Sequence, residues 1–355
     1  MTRLETLWYT RCPVPTPLGI AAQQGFIEEE FRKDGIEVRT LQDVTDPELR
    51  DSHYDHKLDN SFRQGGNIPA IWARSAGRAT RVVGLTWTDE AQVILTLPGS
   101  GIQSLRDLKG KRLGVLRNPF IKIDFWRATT LRAYVAALKL EGYSQRDVQL
   151  VEISRTDAPT ANARGWGRGE PEKSPEIQAL LNGEVDAIFH KGSRGLEIAD
   201  TIGAISVFDL GKHPDPKVRV NNGSPRTLTV DAGLLERNPD VVVRLLKRVL
   251  QAGRWAEAHP REALAYVARE TFSSEQAVER AYGKDVGAHL KTDLEESSIV
   301  ALDDFKNFLS DFGFLVRDFD VRSWVEPWPL AQARKELAAE QRIHAEAPGA
   351  QANLT

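Results

Sequence analysis

The chain has 355 residues, 41% hydrophobic and 27% charged, enough for two lobes rather than one ordinary core. Its 47 Lys+Arg against 50 Asp+Glu leave a net charge of −3, which gives no reason to expect nucleic acid or an anionic membrane as partner. No window reaches the roughly 18 apolar residues of a spanning helix, and a single cysteine, Cys12, excludes an internal disulfide and a zinc site built on several thiolates.

The opening MTRLETLWYTRCPVPTPLG lacks the apolar core of about 7–15 residues that a secretory signal needs, so a cytoplasmic protein is expected. LETLWYT alternates as a strand, and the prolines of CPVPTPLG interrupt it because they cannot donate to a ladder. GIAAQQGFIEEEFRKDG is predicted as a helix closed by Gly35, and IEVRTLQDV as the next, parallel strand. FRQGGNIPAIWARSAG is read as a Gly-Gly turn leading into a short helix. TRVVGLTWT and AQVILTLPGSG are strands, and SLRDLKGKRLGVL is a capped helix, turn and strand. FWRATTLRAYVAALKLEGY has helical apolar spacing, and DVQLVEI is a strand. Residues 156–175, rich in Gly, Pro and charge, are read as a loop or flap. Helix, turn and buried strand follow in PEIQALLNGEVDAIFH, then a strand in TIGAISVFDLG and a strand and long helix in RTLTVDAGLLERNPDVVVRLLKRVLQAGRWAEAHP.

The alternation predicts an α/β protein of doubly wound parallel sheets in two lobes. Lobe I is residues 1–97 with 207–345 returning to it, lobe II is 98–206, and 346–355 is a frayed tail. The expected passages between lobes lie near Thr96–Gly101 and Ser206–Gly211, and a ligand is expected in the crevice at the carboxyl ends of the strands. Of the seven histidines only His53 and His56 lie close together; DSHYDHKLDN is turn-like, and no metal site is assigned.

SLRDLKGKRLGV, LLNGEVDAIF, PRTLTVDAGLLERNP and LLKRVLQAGRWAEAHP resemble solute-binding proteins for sulfonates, nitrate and related anions, which have the two-lobed periplasmic-binding-protein fold of type II. YTRCPVPTPL followed by HYDHKLDNSFRQGGNIP is similar to the aromatic sulfinate desulfinases, which have this fold and split an aryl sulfinate into arene and sulfite without a cofactor. The shared pattern is a Cys-Pro-Val-Pro loop and a His ten residues before an Arg-x-Gly-Gly-x-Ile-Pro turn. The resemblance thus implies Cys12, His53 and Arg63 as the catalytic triad. Thr10, Gly65, Gly66, Trp126, His190 and Arg226 are the substrate-binding candidates, the partner is a small anionic molecule, and a monomer is expected. The chain departs from the pattern after GEVDAIF, with His190, Lys191, Gly192 and Ser193 where tryptophans stand, and at Arg226.

The chemistry suits those residue types. A planar Arg63 fork matches the two oxygens of a sulfinate, and backbone N–H groups near Gly65 and Gly66 would add an oxyanion cradle. Cys12 acts either as a thiolate attacking sulfur or as a thiol protonating the ring carbon; His53 tunes or relays the proton. Two other functions fit the fold: a non-catalytic binder of sulfonate-like or aromatic anions, and an enzyme of other chemistry such as thiamin-precursor synthesis.

Overall fold

The computed structural model describes residues 4–156 and 173–346. Most of the flap expected at 156–175, and the tail from 347, lie outside the described residues. The strands in chain order are β1 (Thr6–Arg11), β2 (Glu37–Thr40), β3 (Ser61–Gly65), β4 (Thr80–Thr86), β5 (Gln92–Thr96), β6 (Arg112–Arg117), β7 (Gln149–Ser154), β8 (Ile188–Lys191), β9 (Ile205–Asp209) and β10 (Arg226–Asp231). They form a five-stranded sheet ordered β2-β1-β3-β10-β4, a three-stranded sheet β8-β5-β9 and the pair β6-β7. A parallel bridge between Leu113 and Ala187 ties the pair to the three-stranded sheet.

The architecture is the expected α/β one, with mixed rather than purely parallel sheets. β1 runs parallel to β2 and β3, whereas β10 lies antiparallel between β3 and β4. β5 is likewise antiparallel to β8 and β9. The reason is topological. A strand that reaches its sheet by crossing from the other one is free of the right-handed βαβ crossover that enforces parallel pairing. Pairing also moves the passages between sheets. β5 belongs with β8 and β9, so the chain crosses at residues 87–91 and again at 210–225, not at the expected Thr96–Gly101 and Ser206–Gly211.

β5 is buried on both faces, with Val93 and Leu95 packed in one apolar cluster and Ile94 in another. The helix Pro239–Ala258 buries Val242, Leu245, Leu246, Val249, Ala252 and Ala256, a helical stripe laid on the first cluster. Among the described residues no helix is long and apolar enough to cross a membrane.

For the site, three local features matter. β1 and β3 are parallel neighbours with Thr10 opposite Arg63 and Arg11 opposite Gln64. Cys12 therefore emerges at the carboxyl end of β1, its amide still bonded to Gln64 O at 3.0 Å. The segment RQGG is not a turn: Ser61–Gly65 is strand β3, and the helix Asn67–Ser75 starts only after Gly66.

Candidate active site

The Cys-Pro-Val-Pro loop is set by its prolines. Thr16 caps the helix Pro17–Gln23 by accepting from Gly19 N, and Pro17 fills the first helical position, where a missing N–H costs nothing. The loop before it can then only run outward from β1. His53 comes from a short helical turn, Ser52–Asp55, in the segment read as turn-like. That turn is pinned by Leu58 N donating to Ser52 Oγ at 2.6 Å and by Arg63 Nε donating to His53 O at 2.8 Å.

These elements bring Cys12, His53, Arg63 and Thr10 together. His53 Nε2 lies 3.3 Å from Cys12 Sγ, and its Nδ1 lies 2.7 Å from Thr10 Oγ1. Arg63 Nη2 donates to Cys12 Sγ at 3.4 Å. The thiol is partly exposed, whereas His53, Arg63 and Thr10 are each 3% exposed. Burial pushes His53 well below the ordinary histidine range, and the neighbouring Arg63 and His56 push it further. The imidazole is therefore neutral at neutral pH. Burial also lowers Arg63, with the Cys12 sulfur pulling back the other way; the guanidinium keeps its charge.

The contacts of these residues add detail to the expected roles. Arg63 does not present a free fork. Its Nε is held by His53 O, its Nη1 by Gly66 O at 2.9 Å and its Nη2 by the sulfur, so its first duty is to the thiol. Thr10 is the partner that orients His53. The glycines leave space for their neighbours. A Cβ at Gly65 would sit 2.2 Å from Cys12 Sγ, and one at Gly66 would sit 2.5 Å from Asn222 Oδ1. The first two amides of the following helix are already taken by Asn222 O and Oδ1.

Arg226 lies elsewhere. It is fully buried on β10, pairs with Glu90 Oε2 at 3.0 Å and donates to Thr88 O at 3.3 Å. Lys191 binds the other oxygen of Glu90. The intruding charge is thus paired with Glu90 at the passage between sheets and does not line the reactive cluster. Trp126 and His190 pack on each other with ring centres 6.0 Å apart, and His190 Nε2 lies 3.6 Å from Glu176 Oε1. A run of rings links them to the thiol: His53 meets the edge of Tyr54 at 5.0 Å, Tyr54 stacks on Phe125 at 6.0 Å, and Phe125 touches Trp126 at 6.1 Å. Tyr54 is the residue that sequence reasoning passed over. Its one available signal was an aromatic side chain beside the candidate histidine in HYDH.

Residues 13–165 match the family model described as NMT1/THI5 like. The chain is 28% identical over 351 residues to the 2'-hydroxybiphenyl-2-sulfinate desulfinase of Rhodococcus erythropolis, covering 91% of this chain and 92% of that protein. It is also 28% identical over 258 residues to a putative aliphatic sulfonates-binding protein of Bacillus subtilis (strain 168), covering 70% of this chain and 64% of that one. Among solved structures, a cysteine-to-serine variant of a desulfurization enzyme in complex with biphenyl-2-sulfinic acid superposes with a TM-score of 0.75 at 25% identity, covering 94% of this chain and all of that one. The fold is therefore one shared by a desulfinase and by sulfonate-binding proteins.

Proposed function

We propose that this chain, similar along most of its length to an aryl sulfinate desulfinase, is a C–S bond hydrolase that releases sulfite from an aromatic sulfinate. The observation that carries this reading is the thiol held 3.3 Å from a neutral imidazole and 3.4 Å from a guanidinium nitrogen. A protein that only captured an anion would have no use for that arrangement, and the Cys12 loop is where a fold of this kind meets its ligand.

The geometry favours Cys12 as the acid. For Cys12 to attack sulfur as a thiolate, its proton would have to pass to His53. That would create an imidazolium in a buried site beside Arg63, which burial and charge both oppose. As an acid, Cys12 passes its proton directly to the ring carbon. The electron pair of the C–S bond becomes the new C–H bond, and sulfur departs as sulfur dioxide. The thiolate left behind is stabilised by the N–H of Arg63. Water adds to sulfur dioxide to give hydrogen sulfite, and the proton released in that step restores the thiol. The sum is aryl sulfinate plus water giving arene plus hydrogen sulfite, with no oxidant or reductant required. His53, fixed by Thr10, supports the sulfur without carrying charge.

The test is a panel of aryl and alkyl sulfinates, beginning with biphenyl-2-sulfinate, with sulfite as the readout. The native chain should release sulfite from aryl members. Cys12→Ser should bind the same sulfinates and release none. Full activity in Cys12→Ser would overturn the assignment. An all-negative panel beside tight sulfonate binding would instead support a solute-binding function.

A further inference from the structure

The helical turn Ser52–Asp55 carries His53 and is held from two sides. Residues on and beside the five-stranded sheet hold it through its carbonyls. Arg63 Nε donates to His53 O at 2.8 Å, and Arg78 Nε donates to Asp55 O at 3.2 Å. A different part of the chain holds its side chains. Lys122, in the loop between β6 and the helix Phe125–Leu140, donates to Asp55 Oδ2 and lies 3.6 Å from Asp51 Oδ2. Phe125, at the start of that helix, stacks on Tyr54 at 6.0 Å. One ammonium thus spans both ends of the turn, Asp51 before its first residue and Asp55 at its last, with His53 between them.

The lysine reaches across from a fixed point. Asp124 braces its loop at both ends: Oδ2 accepts from Asn118 N at 2.7 Å, and Oδ1 accepts from Arg127 N at 3.1 Å, where it caps the helix. Ile123, next to Lys122, is buried. An ion pair between exposed groups contributes little, and the contact with half-exposed Asp51 is of that kind. Asp55 differs, because its carboxylate is 6% exposed. Its Oδ1 accepts from Lys57 N at 3.0 Å, and Lys57 Nζ lies 3.5 Å from Oδ2, but both belong to the same short segment. Lys122 is 67 positions away, and it ties this buried carboxylate to the side of the molecule built on the β6-β7 pair. The turn it grips sets the imidazole, whose Nε2 lies 3.3 Å from Cys12 Sγ.

We infer that Lys122 is a positioning residue: by clasping Asp55 and Asp51 it fixes the turn that aims His53 at the sulfur of Cys12. The placement of the β6-β7 side is thereby passed to the thiol through one ion pair and one ring stack. As far as turnover is concerned, this rests on the hydrolase reading given above.

The experiment compares Lys122→Met, which keeps the length of the stem and removes the ammonium, with Lys122→Arg, which keeps a cation. Two quantities are read. One is sulfite release from biphenyl-2-sulfinate. The other is amide hydrogen exchange over residues 52–58, where the amides of Tyr54, Asp55 and His56 donate to Asp51 O, Asp51 O and Ser52 O. Lys122→Met should lower kcat about tenfold with KM held within about twofold, because a reacting group is misplaced and no substrate contact is removed. Exchange over the turn should quicken about tenfold, since a turn freed of its clasp opens more often. Lys122→Arg should restore most of both. In an active enzyme, native kcat or native exchange in Lys122→Met overturns the inference: the first means the clasp does not serve His53, the second that Lys122 does not act through the turn. If the native chain releases no sulfite from any sulfinate, the hydrolase reading fails, and the exchange comparison alone decides whether Lys122 fixes the turn.

Discussion

Arg63 and Arg226 stand on neighbouring strands of one sheet and are both shut away from water, yet they do opposite things. Arg226 is matched by a carboxylate. Glu90 takes it on one oxygen and Lys191 on the other, and glycines at 211 and 223 leave room where a Cβ would lie 1.8 Å from Glu90 O and 1.9 Å from Glu90 Oε1. Among the described residues Arg63 has no carboxylate in its contacts. Two carbonyl oxygens hold it in place, and the remaining bond goes to a thiol. The first arrangement has a carboxylate built in between its two cations and sits where the chain passes between sheets. The second keeps a positive field aimed at one sulfur atom. A buried cation is structural when its counter-charge is built in, and chemical when the counter-charge is left for a reaction to supply.

The contrast can be broken first at Glu90. Glu90→Ala should strand two buried cations and cost about 3–5 kcal/mol of stability by urea denaturation. Replacing the whole set, Glu90→Leu with Lys191→Met and Arg226→Met, should recover most of that loss, because burying no charge is cheaper than burying an unpaired one. If the single variant is as stable as the native chain, the cluster is solvated and the comparison collapses. Arg63 should respond in turnover. Arg63→Lys keeps the charge but cannot reach two carbonyls and a sulfur together. It should lower kcat about 10²-fold with little change in KM, the signature of lost stabilisation as the thiolate forms. A rise in KM alone would return Arg63 to the role of anion grip.

Much of this cluster is legible in the sequence, and the reasons are local. Cys12, the ten-residue step from His53 to Arg63 and the Gly-Gly pair are short-range patterns, and β1 beside β3 brings them into contact as such spacing suggests. Local pattern does not place Arg226, because its partner Glu90 is 136 positions away, in a passage between sheets whose path no short motif reveals. The antiparallel placement of β10 is of the same kind. It depends on how a returning strand enters a sheet, not on its own alternation.

Acid should separate the two regions again. His53 and His56 are held neutral in the folded protein by burial and by nearby cations, well below the range they have when unfolded. Below about pH 6.5 the unfolded chain takes up protons that the folded chain refuses, so stability falls as pH falls, by up to about 1.4 kcal/mol per pH unit for each such histidine. Glu90 behaves otherwise. Burial alone would raise its carboxyl, but Lys191 and Arg226 override that and hold it below the ordinary value. Its contribution persists above the ordinary carboxylate range and is lost only at lower pH. Urea midpoints between pH 7.5 and 5.5 should therefore fall in the native chain and fall less in His53→Asn, while Glu90→Gln should shift the whole curve without changing that slope. An unchanged slope in His53→Asn would mean the imidazole is charged in the folded state.

The smallest effect is expected at Thr10, and it tests how far the reactive region depends on orientation rather than charge. Thr10 is 3% exposed, and its hydroxyl can donate to Nδ1 or accept from it, so it can follow either tautomer of His53. Thr10→Val is nearly isosteric and removes the bond to Nδ1. The cost should be about 1 kcal/mol, read as a roughly fivefold fall in kcat, with Thr10→Ser restoring it. Nitrogen chemical shifts of His53 should show one tautomer in the native chain and a mixture in Thr10→Val. If both kcat and tautomer survive the valine, then the bond from Arg63 Nε to His53 O is enough to aim the ring. The guanidinium would then position His53 and polarise Cys12 at once, which would widen its difference from Arg226 still further.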